Sequence, residues 1–272
     1  MNVLIARVRV PLTLLGVLLI VVGSFGDVDP LALVGGLMFF VGLICYFWLG
    51  RVRAAPVRVQ LPVQGRWAAL NSPANRVPSH GAHAYGQTYA LDLVHEPTDR
   101  PRPAFGSGWG FGPASDFPAF GQPVLAPADG VVVRVRDRAR DHRARNSWLG
   151  LAYVFVEASV RELLGPGRIM GNHIVLDLGD GVYAAMAHLQ RGSARVAAGD
   201  VVRAGQHIAD CGNSGNSTEP HLHLQLMDHP RVAVAAGLPV EFDSFEVDEQ
   251  CRCGVPRNGE PFVVPVTPGT RR

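Results

Sequence analysis

The chain contains no lysine; its 25 cationic side chains are all arginine. Any role that needs covalent attachment through an exposed lysine is therefore excluded. Cysteine is scarce, with four residues in 272, and the four do not make a disulfide framework. Cys45 lies in an apolar run and Cys211 in a strand-like stretch. Cys251 and Cys253 form a C-x-C whose side chains share one strand face, where a mutual disulfide is strained. A metal site there would need more ligands than the segment offers. Net charge is also nearly absent, 25 basic residues against 23 acidic ones, so nothing in the balance calls for a nucleic-acid partner. No serine or cysteine nucleophile pattern stands out.

What is present is glycine, proline and long apolar runs. The 31 glycines and 21 prolines make about a fifth of the chain, a composition suited to a turn-rich β fold. Val8–Phe25 and Leu31–Leu49 are apolar over near-spanning lengths, separated by Gly-Asp-Val-Asp-Pro. Tyr46 and Trp48 close the second run in the manner of an interfacial belt. Residues 1–50 are expected to be two transmembrane helices in contact with membrane lipid. A cleaved signal peptide for the first run or a buried core helix for the second are the alternatives. Arg7 and Arg9 precede the pair, Arg51, Arg53 and Arg58 follow it, and the connecting loop holds Asp27 and Asp29. The positive-inside rule then puts both ends in the cytoplasm.

Residues 51–65 read as a linker, 66–245 as the main domain and 246–272 as a tail. Val131–Val135, Ile174–Leu178, Val182–Ala187, Val201–Ile208 and Leu222–Met227 are strand candidates, punctuated by Asp129-Gly130, Gly179-Asp180-Gly181 and Gly199-Asp200. The expected fold class is mainly β, an antiparallel sheet or sandwich. Two insertions interrupt it. Residues 97–120, with Phe105, Trp109, Phe111, Phe117 and Phe120, read as a long loop of the kind that walls a substrate cleft. Residues 134–168 open with six Arg and two Asp in Arg134–Arg145 and continue into a helix over Ser147–Leu164. That segment is either a solvated charge run beside a packing helix or an interfacial helix on anionic lipid.

The chemistry concentrates in histidine. His221 and His223 in Pro-His-Leu-His-Leu project to the same face of a strand. Two imidazoles buried together are costly without a metal or hydrogen bonds. His188 ends another apolar strand. Upstream, Ser79-His80-Gly81-Ala82-His83 precedes Asp92, a carboxylate interrupting the apolar strand Tyr-Ala-Leu-Asp-Leu, where an unpaired charge is expensive. These residues supply a His/Asp/His set with an open fourth position, the arrangement of catalytic zinc, plus two further histidines. One Zn2+ there would lower the pKa of its bound water towards roughly 7, and a neutral histidine could move the proton.

The sequence resembles the lysostaphin-type zinc metallopeptidases, family M23. The likeness runs from about Gly65 to Met227, carried by GQTYALDLV, GQPVLAPADGVVVRV, GNHIVLDLGDGVYAAMAHLQRGS, VAAGDVVRAGQHIADCGNSGNS and PHLHLQL. It implies an open groove of antiparallel strands (duplicated-hybrid-motif-like) behind the transmembrane hairpin. It further implies a metalloendopeptidase that hydrolyses peptides of bacterial peptidoglycan. Asp92, His223 and one upstream histidine are implied zinc ligands, with His188 and His221 as the catalytic pair. His80, followed by Gly81, is favoured for the third ligand, with His83 as the alternative. The upstream histidine stands farther from Asp92 than in the simplest members, and Glu219 takes a place often held by Gly. A non-catalytic binding or regulatory module of the same family is the other reading. Two segments, VLAPADGVVVRV and VAAGDVVRAGQHIADCG, also look like lipoyl or biotinyl carrier hairpins, and the missing lysine excludes that function. Wall peptides lie outside the membrane, which conflicts with the arginine pattern. Substrate location is taken to prevail, giving a multi-pass protein of the bacterial membrane with an extracytoplasmic domain.

Overall fold

The computed structural model describes residues 2–49, 51–163 and 165–265, so residues 266–272 of the expected tail lie outside the described residues. The two apolar runs are helices, α1 (Asn2–Phe25) and α2 (Asp29–Phe47). Both are long and apolar enough to cross a membrane. At 1.5 Å per residue they reach about 36 and about 28 Å, against a hydrocarbon core of about 30 Å. They pack through small residues. A Cβ on Gly16 would lie 2.5 Å from the Phe39 nitrogen, and one on Gly35 would lie 2.6 Å from the Ile20 nitrogen. Gly23 against Ala32 and Gly42 against Thr13 are as close. Such close backbone approach is what holds helices together where water is absent.

The start of α1 and the end of α2 meet the domain, and their joining turn lies at the far end. Arg7 pairs with Asp228 at 3.0 Å, and the buried Arg9 donates to the Ala235 carbonyl at 2.9 Å. The Tyr46 carbonyl accepts from the His83 amide at 2.9 Å, and the Tyr46 ring stands edge-on to Tyr85 at 5.7 Å.

Among the described residues, fourteen strands follow. In chain order they are β1 (Val57–Val59), β2 (Gly65–Leu70), β3 (Leu91–His95), β4 (Pro123–Leu125), β5 (Gly130–Arg136), β6 (Asn172–Asp177), β7 (Tyr183–Leu189), β8 (Val201–Val202), β9 (His207–Asp210), β10 (Leu222–Met227), β11 (Gly237–Leu238), β12 (Val240–Val247), β13 (Gln250–Gly254) and β14 (Pro261–Val264). Between β5 and β6 stand helices α3 (Trp148–Leu163) and α4 (Pro166–Met170). The main sheet runs β1-β12-β14-β2-β3-β10-β7-β6-β5-β8, with β11 and β13 beside β10 and β12. Its pairings are antiparallel except β1 with β12, and β4 pairs with β9 separately.

Three expectations differ from the structure. The segments taken as linker and tail contribute β1, β13 and β14, and β14 pairs with β2 from Pro261↔Ala68 to Val264↔Gly65. Those short strands have too little local pattern to be seen without their partners. Val201–Ile208 is not one strand. The Arg203–Gln206 turn, with Gly205 at φ 77° and the Gln206 amide on the Arg203 carbonyl, divides it into β8 and β9.

Alternation decides which side chains reach the core. Leu222, Leu224 and Leu226 of β10 point inward with Leu91 and Leu93 of β3, Ile174 and Leu176 of β6, and Trp67 of β2. The intervening residues of the same strands necessarily face the other side. On β10 these are His223, Gln225 and Met227; on β3 the residue is Asp92. A second apolar cluster covers part of that face, where Ala185, Ala187, Val175 and Met227 meet Tyr85 and Val232, with Val10 and Tyr46 of the helical hairpin packed against them.

Candidate active site

Register brings the site together. His223 on β10 lies directly opposite Asp92 on β3 and Ala187 on β7, so the carboxylate and the imidazole share one face of adjacent strands. Asp92 Oδ1 accepts from His223 Nδ1 at 2.9 Å, and Oδ2 accepts from His80 Nε2 at 3.0 Å and from Asn71 Nδ2 at 2.8 Å. His80, Asp92 and His223 each offer a ligand atom, all within 4.8 Å of one another. His83 is not among them. Its Nδ1 is 3.1 Å from Thr88 Oγ1, and its amide is tied to Tyr46.

The other two histidines stand alongside. The His188 ring centroid is 4.7 Å from that of His221 and 5.7 Å from that of His223. His188 Nδ1 donates to the Ser214 carbonyl at 2.9 Å, and His221 Nδ1 donates to the Glu219 carbonyl at 2.8 Å. Each ring is therefore oriented through Nδ1 and leaves Nε2 for the site; His221 Nε2 is 3.6 Å from Asp92 Oδ1. His188 sits at φ 61°, a left-handed conformation that histidine tolerates better than most residues.

The electrostatics follow from burial and proximity. Burial alone would raise the Asp92 carboxyl, but the charges of His80 and His221 and the hydrogen bonds from His223 and His80 hold it well below the usual carboxylate range. Burial pushes His188 well below the usual imidazole value, and His221 and His223 add to this. His188 is neutral at pH 7 and able to accept a proton. Burial would also lower His223, yet the bond and charge of Asp92 and the bond to Gln225 raise it.

Gln225 escaped the sequence reading. Its Oε1 accepts from His223 Nε2 at 3.0 Å, while its Nε2 donates to the Tyr85 carbonyl at 2.8 Å. The signal was available, because position 225 continues the period-two face of 221 and 223. Asn71, far upstream at φ 49°, had no such signal. The long loop 97–120 also behaves differently from expectation. Among the described residues, a cavity of about 230 Å3 at the site is walled by Val154, Pro166, Ile169 and Met170 of the α3–α4 segment and not by that loop. Phe105 and Phe111 instead pack edge-on against Trp148 and Tyr153 of α3, at 5.1 and 5.5 Å. Arg102 reaches Glu219 and Glu96 beside the site. Trp148, Leu149, Val156 and Val160 of α3 are exposed.

Residues 153–235 match the family model described as peptidase family M23. Over this stretch the chain is similar to peptidase family M23. The match contains His188, His221 and His223, while His80 and Asp92 lie upstream of it and join the site through the β3–β10 pairing. Among solved structures the chain is similar to the catalytic domain of the antimicrobial peptidase lysostaphin from Staphylococcus simulans. Identity is 25%, over 48% of this chain and 86% of that one, with a TM-score of 0.29. It is also similar to a mutant catalytic domain of the prophage-encoded M23 protein EnpA from Enterococcus faecalis, at 23% identity, 51% and 93% coverage and a TM-score of 0.30. For LytU the values are 19%, 69%, 86% and 0.33. The likeness to family M23 rests on the match over residues 153–235.

Proposed function

We propose that the protein is a zinc-dependent metalloendopeptidase that hydrolyses peptide bonds of bacterial peptidoglycan. The observation that carries this reading is the convergence of the Asp92 carboxylate with two imidazoles, His80 and His223, beside a second pair already oriented through Nδ1. The donor set fits zinc, which takes nitrogen and oxygen ligands at about 2.0–2.2 Å in a four-coordinate site. Two ring nitrogens contact a carboxylate at 2.9 and 3.0 Å, and the far nitrogen of His223 is held by an acceptor, which leaves Nδ1 to the metal once its proton is lost. When bound, the ion supplies Lewis acidity to a water and to the scissile carbonyl.

This chain's own residues do the rest. His188 is buried and neutral, so its Nε2 accepts the proton of the attacking water and delivers it to the leaving amine. His221, held by the Glu219 carbonyl and Ser217, steadies the carbonyl oxygen as charge develops on it. The α3–α4 segment supplies the apolar wall of the cavity beside these residues. The helical hairpin is read as a two-span anchor in the bacterial membrane, with the domain outside.

Full-length protein in neutral detergent, loaded with one zinc, is expected to release new amino groups from purified sacculi. His188→Ala and His221→Ala are each expected to lower that rate by about 100-fold or more while zinc stoichiometry stays at one. Asp92→Ala is expected to abolish zinc retention. Unchanged activity in both histidine variants would overturn the assignment of roles.

A further inference from the structure

A second concave site lies behind the active site, unused by the chemistry above. A cavity of about 210 Å3 is lined by Arg136, Arg140, Arg145, Arg161 and Arg168, with Glu157 as the acidic side chain among its described lining. Gly171 and Gly215 form its inner wall. At about 30 Å3 per water the space holds roughly seven waters, so a tetrahedral oxyanion and part of its solvent shell fit comfortably.

The charges inside are not balanced by the protein. Glu157 serves two guanidiniums at once, contacting Arg145 Nη2 at 2.5 Å and Arg161 Nη2 at 3.0 Å. Arg145 is only 3% exposed, and its Nη1 is buried with no hydrogen-bond partner; Arg161 Nε is in the same condition. The Arg145 guanidinium also lies over the Tyr153 ring at 5.1 Å, but buried donors are normally hydrogen-bonded, and one carboxylate shared by two guanidiniums leaves a net positive charge. The acids nearest in sequence are committed elsewhere. Asp137 accepts from the amides of Gly192 and Ala194, and Asp141 from those of Arg191 and Asn213. Neither lines the cavity. Arg136 is anchored to the Gly167 carbonyl at 2.8 Å, which fixes one guanidinium at the wall. Arg140 and Arg168 stand exposed.

We propose that this arginine-lined cavity is a binding site for a phosphate group, either free phosphate or the phosphodiester of a lipid headgroup. Several planar guanidiniums around one pocket match the oxygens of a tetrahedral phosphate by paired hydrogen bonds, which a single carboxylate ligand does not use fully. The site abuts the catalytic machinery without sharing a residue with it. Gly215 of its wall accepts from His142 Nε2 at 2.9 Å, and the preceding Ser214 carbonyl holds His188 Nδ1. The proposal does not depend on zinc or on peptide hydrolysis.

The test is calorimetric titration of inorganic phosphate into full-length protein in neutral detergent, stripped of metal by chelator and compared with chloride at equal ionic strength. Saturable binding at one site is expected. Arg140→Ala with Arg168→Ala, both at exposed positions, is expected to weaken it by about tenfold per guanidinium removed, while Arg203→Ala leaves it unchanged. Arg145→Met should abolish binding; if that variant fails to fold, the exposed pair still decides. Displacement of phosphate by glycerophosphoglycerol identifies the lipid headgroup as the source, and indifference to it identifies free phosphate. No saturable binding, full binding by the double variant, or equal competition by acetate would each overturn the proposal.

Discussion

At the scale of single residues, the candidate site depends on which nitrogen of each histidine is occupied by the protein. His188 and His221 are held through Nδ1 by backbone carbonyls, whereas His223 is held through Nε2 by Gln225. Opposite nitrogens of these rings are thereby presented to the site, and His80, held at Nδ1 by Ser79, presents Nε2 to Asp92. Gln225 is a positioning residue, itself fixed by the Tyr85 carbonyl. Gln225→Leu keeps the strand and much of the volume but removes the acceptor. Zinc affinity, read by competition with a chromophoric chelator, is expected to fall about 10–100-fold, the usual cost of losing such support. Wild-type affinity in that variant would remove Gln225 from the site.

At the scale of elements, the helical hairpin is a close-packed unit whose geometry is set by glycine. Gly35 faces the backbone of α1, while Gly36 has open space around its Cβ position. Gly35→Leu is expected to destabilise the full chain by about 1–3 kcal/mol through overpacking, and Gly36→Leu to leave its thermal midpoint in detergent unchanged. Equal effects from the two would mean that α1 and α2 do not pack as described. The hairpin also reaches the domain core. Tyr46 packs on Tyr85, whose carbonyl holds Gln225, so the hairpin lies a few contacts from His223. The α3–α4 insertion walls the cavity, while Phe105 and Phe111 of the 97–120 loop pack against α3.

At the scale of the whole molecule, sidedness turns on how the flanking arginines are used. Arg7 is paired with Asp228, and Arg9 is buried against Ala235. These two cations serve docking, which weakens their standing as free charges that retain a segment in the cytoplasm. With the domain outside, protease added to intact spheroplasts is expected to digest residues 51–272 and spare the hairpin. Protection of the domain would place it in the cytoplasm and remove the wall substrate.

Local sequence determined the features that need only neighbours along the chain. The apolar runs became α1 and α2, and the Leu-His-Leu-Gln-Leu alternation put leucines in the core and polar groups on the groove face, because a strand has period two. Turns rich in Gly and Asp marked the β6–β7 hairpin for the same reason. Tertiary structure decided whatever depends on distant partners. It brought His80 rather than His83 to Asp92, since the 79–89 segment must fold back before either imidazole can reach β3. It recruited β1, β13 and β14 into the sheet, where pairing rather than pattern stabilises them. The metal-capable group draws on residues 80, 92 and 223: strand register joins Asp92 to His223, and the folded 79–89 segment brings His80 to them. Residue types and spacing can nominate such a group, but the backbone hydrogen bonds between β3 and β10, with the fold of 79–89, are what make it one place.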